Sequence, residues 1–206
     1  MKAILVVSGL CYAMTFAFVQ NASDPIKTTS WVEGVTSVKA EWYGRCLGRM
    51  NEPRLPELVK DTIAEVYRLM ILPTWGNAIV VRVQRHGEFY RLSGRRLDGQ
   101  AGYEVGKLVE SKDIELNSDD SKALGILIQN LNFFKLPHDD NVVGNDGDEW
   151  IIEGVFRGKY HLIQRWSASE DNPDKRGLKP FLALCKFLID KSTLSERPTN
   201  KGHKLI

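Results

Sequence analysis

Cysteine is scarce in this chain, and a surplus of either charge is missing. Three cysteines, at positions 11, 46 and 185, are too few for a disulfide framework or a Cys-rich zinc site. The 28 basic and 26 acidic residues leave a formal charge of +2, so no basic patch points to nucleic acid. The four histidines, His86, His138, His161 and His203, lack close ligand spacing, and no metal is expected. Also missing are a GxxxxGK[ST] phosphate loop, a GxGxxG after a strand, a GxSxG elbow and an HExxH helix. No cofactor is expected. The acidic run "DDNVVGNDGDEW" fails as a calcium loop in both registers. With Gly144 as the turn glycine, Val143 and Trp150 occupy ligand positions; with Gly147, the loop begins at Val142. Asp146 and Asp148 read instead as acids of a solvated turn that bond its backbone amides.

What is present begins at the N-terminus. Lys2 precedes an uncharged run from Ala3 to Val19, followed by polar "QNASDP". A positive end, an apolar stretch and small residues near a cleavage point make a secretory signal. Thr15-Phe16-Ala17 places cleavage after Ala17, with Ala22 as the second choice. Residues 1–17 are therefore expected to be removed, leaving a periplasmic or secreted protein with no membrane span. The alternative is an uncleaved anchor, because the run reaches the lower limit of about 17 residues for a span. Leu10 before Cys11 excludes a lipoprotein signal. Cys46 and Cys185 then remain. In an oxidising compartment they either pair, closing a long loop for about 3–5 kcal/mol, or stay as two buried thiols.

A length of 206 residues with 43% hydrophobic content suits one domain with a substantial core. Residues 18–64 read as a leader, with a helix over 56–64 opened by Pro56. The domain spans 65–191, and 192–206 is a flexible tail. A strand is expected near 65–72. "AIVVRVQR" alternates, His86-Gly87 turns the chain, and "EFYRLSGRRL" answers as a second strand. "GKLVESKDIEL" is a third. Ser118 with Asp119 and Asp120 starts a helix whose face is Leu124, Leu127, Ile128 and Leu131. A hairpin follows, and "LKPFLALCKFLIDK" closes the domain as a helix. The expected class is α+β: an antiparallel sheet of about five strands, in the order β-β-β-α-β-β-α, with helices packed on one face.

The hairpin 146–167 carries the densest chemistry. A three-residue turn at Arg157-Gly158-Lys159 sets Trp150 opposite Trp166 and Phe156 opposite Tyr160 on an apolar face. Glu153, His161 and Arg165 then share the other face with Arg82. The plainer reading of these groups is cross-strand charge and hydrogen-bond pairing; the sharper one is a concave surface in which the two arginines receive an anionic or backbone carbonyl group. The partner would be an unknown protein or a small anionic ligand.

The segments "RRLDGQAGYEVGKLV", "LPHDDNVVGNDGDEWIIEG" and "GKYHLIQRWS" resemble a family of uncharacterised bacterial proteins, many with signal peptides. That family's pattern is DG-x-x-W-x-x-E-G followed by G-x-Y-H-x-x-x-R-W. Asp146-Gly147, Trp150, Glu153-Gly154, Gly158, Tyr160-His161 and Arg165-Trp166 stand in those places, within a likeness covering roughly 65–190. Ala168 replaces the usual proline after the R-W-S segment. The resemblance implies an exported bacterial protein and no particular activity. Its pattern includes Glu153, His161 and Arg165. A non-enzymatic exported binding or accessory domain is the expected function. The alternatives are a small periplasmic hydrolase using His161 and Glu153 with the acids of the 139–148 loop, and an envelope anchor that retains residues 1–17.

Overall fold

The strand expected near 65–72 is β1 (Glu65–Pro73), and it lies at the centre of the computed structural model, which describes residues 30–200 and 203–204. The signal segment 1–17 and its cleavage points lie outside the described residues. The other long strands are β2 (Ile79–His86), β3 (Phe89–Leu97), β4 (Leu108–Glu115), β5 (Asp148–Phe156) and β6 (Lys159–Trp166). They form one sheet in the order β4-β3-β2-β1-β5-β6, antiparallel at every junction. The class is α+β as expected, with six strands instead of about five. Two-residue strands β7 (Thr199–Asn200) and β8 (His203–Lys204) pair separately.

Helices α2 (Ser118–Leu131) and α3 (Lys179–Ser192) cover one face. Leu124 and Leu131 of α2, with Phe181, Leu184 and Leu188 of α3, pack on Leu69, Ile71, Val81, Trp150 and Ile152. The α2 cap is Asn117, one residue before the serine expected to do this; its side chain accepts from Asp120 N at 2.8 Å.

The leader contains a further helix, α1 (Ser37–Arg49), and it packs on the opposite face. Thr36 caps it, and Tyr43, Cys46, Leu47 and Met50 recur at helical spacing against Met70, Leu72, Val80 and Ile151. In place of the helix expected over 56–64 there is a shorter 3₁₀ turn, Leu55–Lys60. The two helical layers also rule out the Cys46–Cys185 bridge. Cys46 lies in the core under α1 and Cys185 in the core under α3, both free and buried, with the sheet between them. Burial pushes the Cys46 thiol up to about 12 and the Cys185 thiol well above its ordinary value, so both are inert.

The α1 face also buries a row of charges. Arg68 of β1 stands opposite Arg82 of β2 on one side and Glu153 of β5 on the other. Two arginines in cross-strand register repel. Glu52, from the α1 connection, accepts from both: Arg82 Nε at 2.9 Å and Arg68 Nη1 at 3.4 Å. Arg68 grips Glu153 Oε1 through Nε at 2.8 Å and Nη2 at 2.6 Å, and Nη1 donates to the Pro53 carbonyl at 2.6 Å. Tyr160 donates to Glu153 Oε2 at 2.9 Å and accepts from Glu33 N at 3.3 Å. Residues 33–53 are thus fastened to the sheet at both ends, by the Tyr160 hydroxyl at Glu33 and by the two arginines at Glu52 and Pro53.

The hairpin register differs from the expected one. Phe156 pairs with Lys159, Val155 with Tyr160, Glu153 with Leu162 and Trp150 with Arg165. The turn has two central residues, Arg157 and Gly158, with φ of 50° and 71°, the left-handed pair whose twist matches the strands. Sorting by face had no power here, because Asp148–Val155 are buried on both sides. One residue of slip exchanges every side chain of β6 between faces. Arginine is a poor residue for a left-handed position, whereas asparagine before glycine suits it. Arg157→Asn should raise stability by about 0.5–1 kcal/mol, read as a higher thermal midpoint; an unchanged or lower midpoint would contradict this turn.

The C-terminal stretch expected to fray is anchored through residue 197. Ser195 N and Oγ both donate to Glu110 at 2.8 Å, and Arg197 pairs with Asp190 at 2.6 Å.

Candidate functional site

The register separates the four residues expected to share a surface. Arg82 and Glu153 lie on the α1 face, joined through Glu52 and Arg68, while His161 and Arg165 lie on the α2–α3 face. Glu153 is fully buried, and burial pushes its carboxyl above the ordinary range against the pull of Arg68. Arg82 lines an open polar groove with Gln84, Arg91 and Asp113. His161 Nε2 donates to the Leu136 carbonyl at 3.0 Å, and its ring meets Phe133 edge-on at 5.1 Å. Burial lowers its pKa. The sheet itself stands between the His161 and Glu153 side chains, so the two are not placed as an acid–base pair.

The tryptophans part in the same way. Trp150 is buried under the helices, while Trp166 faces the α1 side. Asp148 is no turn acid: it opens β5, buried, and accepts from Trp150 Nε1. Burial pushes its carboxyl up to about 6, against the Trp150 hydrogen bond. Asp146 is the exposed acid, at φ 58°.

The segment between α2 and β5 organises what is open. Its first part runs along the outer edge of β6. Gln164 N donates to the His138 carbonyl at 2.7 Å, and His138 Nδ1 donates to the Leu162 carbonyl at 3.0 Å. Covering an edge strand in this way removes a free row of donors and acceptors. Its second part leaves the edge and faces α1 across a groove of about 480 Å³.

Val38 and Trp42 of α1 form one wall, and Val142, Val143 and Trp166 form the other. Val38 is 74% exposed and Val143 87%, so apolar side chains meet water on both banks. Polar groups converge on the floor. Lys39 Nζ donates to Glu149 Oε1 at 2.5 Å and to Gln164 Oε1 at 3.3 Å; Tyr43 donates to the same Gln164 oxygen at 3.4 Å. These contacts orient the Gln164 amide, whose nitrogen makes no hydrogen bond among the described residues. Burial and the neighbouring Glu149 push the Tyr43 hydroxyl well above its ordinary value, so it stays a donor. A concave, mostly apolar site with a few fixed polar groups is the common form of a ligand pocket.

Sequence reading passed over Lys39, Trp42, Glu149 and Gln164, which come from separate elements. Lys39 and Glu149 stand 110 residues apart, and no local pattern links them. Among the described residues, no group of histidine, cysteine and carboxylate side chains could hold a metal ion, and no helix is long and apolar enough to cross a membrane. Comparison of the chain with protein-family models and with curated proteins finds no match.

Proposed function

We propose that this is an exported binding domain that takes an apolar segment of a partner protein into the groove between α1 and the 139–149 segment. The observation that carries the reading is the pairing of exposed apolar banks, Val38 and Val143, with a charge-neutral polar floor of Lys39, Glu149 and Gln164. Monomeric surfaces rarely leave such side chains together around a concavity unless something covers them. The floor suits an amide: the Gln164 nitrogen donates to a carbonyl, while the banks take side chains. Export rests on the signal pattern of residues 1–17 and on the resemblance to exported bacterial proteins.

Panning a random peptide library against the purified protein tests the reading. Recovered peptides should carry apolar anchors, and Val38→Asp, a surface change, should weaken them about tenfold or more. Peptides that bind Val38→Asp and Val143→Asp as tightly as the parent chain would place recognition elsewhere.

A further inference from the structure

A second cavity, of about 270 Å³, lies on the opposite face of the sheet, between the start of α3 and the Pro137–Asp140 segment. Its wall is mostly apolar, including Leu131, Leu136 and Phe181, yet two arginines open onto it. Arg165 is 4% exposed and Arg176 10%. Both turn toward one carboxylate oxygen, Asp140 Oδ2, at 2.8 Å from Arg176 Nη2 and 3.9 Å from Arg165 Nε.

The donor count shows what is unmatched. Arg165 spends Nη1 on the carbonyls of His138 and Gln164, and Nη2 on that of Pro137. Its Nε makes no hydrogen bond among the described residues, and 3.9 Å is beyond hydrogen-bond reach. Arg176 spends Nη1 on the carbonyls of Trp166 and Asp171, and Nε on Asp140 Oδ2 at 2.8 Å. Its Nη2 is ion-paired but hydrogen-bonded to nothing. Asp171, the second acid near Arg176, stands 3.9 Å away and 46% exposed. Two guanidiniums, Arg165 buried and Arg176 nearly so, thus share one close carboxylate, that of Asp140. Its other oxygen, Oδ1, is buried without a hydrogen-bond partner among the described residues. A buried charge is stable only when paired. The first turn of α3 adds to the imbalance: it has no side-chain cap, and its positive end borders the same cavity at Pro180 and Phe181.

We infer that this cavity binds a carboxylate carried on a small apolar body. The carboxylate accepts from Arg165 Nε beside the charge of Arg176, whose own Nη2 lies sealed against Asp140, and the body lies among Leu131, Leu136 and Phe181. This site does not depend on the peptide groove, which opens on the other face.

Titration of the ¹⁵N-labelled protein with hexanoate tests the inference without any substitution. Saturable shifts of the Arg165 Nε–H and Phe181 amide signals are expected. Hexanol, which has the chain without the charge, should bind about ten- to a hundredfold more weakly, the loss of charge-assisted hydrogen bonds, and hexylamine should not bind. N-acetyl-leucine binding at the same signals would mark a peptide C-terminus as the source of the carboxylate; hexanoate binding alone would mark a free acid. Arg176→Gln should reduce hexanoate affinity, while Val38→Asp should leave it unchanged. Either of two results would overturn the site: no saturable shift at Arg165, or equal binding of hexanoate with hexanol or inorganic phosphate.

Discussion

Replacing Glu153 with alanine should remove about 3–5 kcal/mol of folding free energy, the usual effect of leaving one half of a buried ion pair behind. Arg68 has no exposed surface, and two of its nitrogens rest on Glu153 Oε1. Without that oxygen, its remaining ionic partner is Glu52 at 3.4 Å, already shared with Arg82. Since domains are stable by only about 5–15 kcal/mol, the variant should unfold at far lower urea concentration or fail to accumulate. Arg68→Met combined with Glu153→Leu should recover much of the loss, because a well-packed apolar pair costs no desolvation. A Glu153→Ala protein with a urea midpoint close to that of the parent would show that the pair contributes little.

The second large effect depends on pH. The Asp148 carboxyl is raised from 3.8 to about 6, chiefly by burial. Between those values the folded chain holds a proton that the unfolded chain has released, so stability falls as pH rises through the window. A shift of this size corresponds to about 3 kcal/mol lost from this group between about pH 4 and pH 6. Asp148→Asn keeps an acceptor for Trp150 Nε1 and has nothing to titrate. Its stability curve should lie above that of the parent at neutral pH and converge with it in acid. Parallel curves from urea titrations across that range would refute the assignment.

Much of the architecture was legible because local rules act on half-buried elements. The alternation in "AIVVRVQR" gave β2, and the spacing of Leu124, Leu127, Ile128 and Leu131 gave α2. Legibility failed where both sides are covered. In β5 every residue from Asp148 to Val155 is buried, so either hairpin register put apolar side chains inside, and the turn decided between them. The sequence placed Arg82 and Glu153 on one face, as observed, but not their burial, because Glu52 arrives from a helix connection that had no clear signal. Helix α1 was hidden for a local reason. Gly44 and Gly48 dilute its pattern by about 1 kcal/mol each relative to alanine, yet a side chain at Gly44 would come within 2.7 Å of the Trp31 ring. The groove depends on this helix, so none of its floor could be read from one stretch of chain.

The two margins of the sheet are unlike. The outer row of β6 is occupied by residues 136–138, while that of β4 has no backbone partner among the described residues. A fibre grown by strand pairing needs two free margins on every molecule, and the described residues leave a single one. Two copies can join β4 to β4 about a twofold axis, and growth then stops.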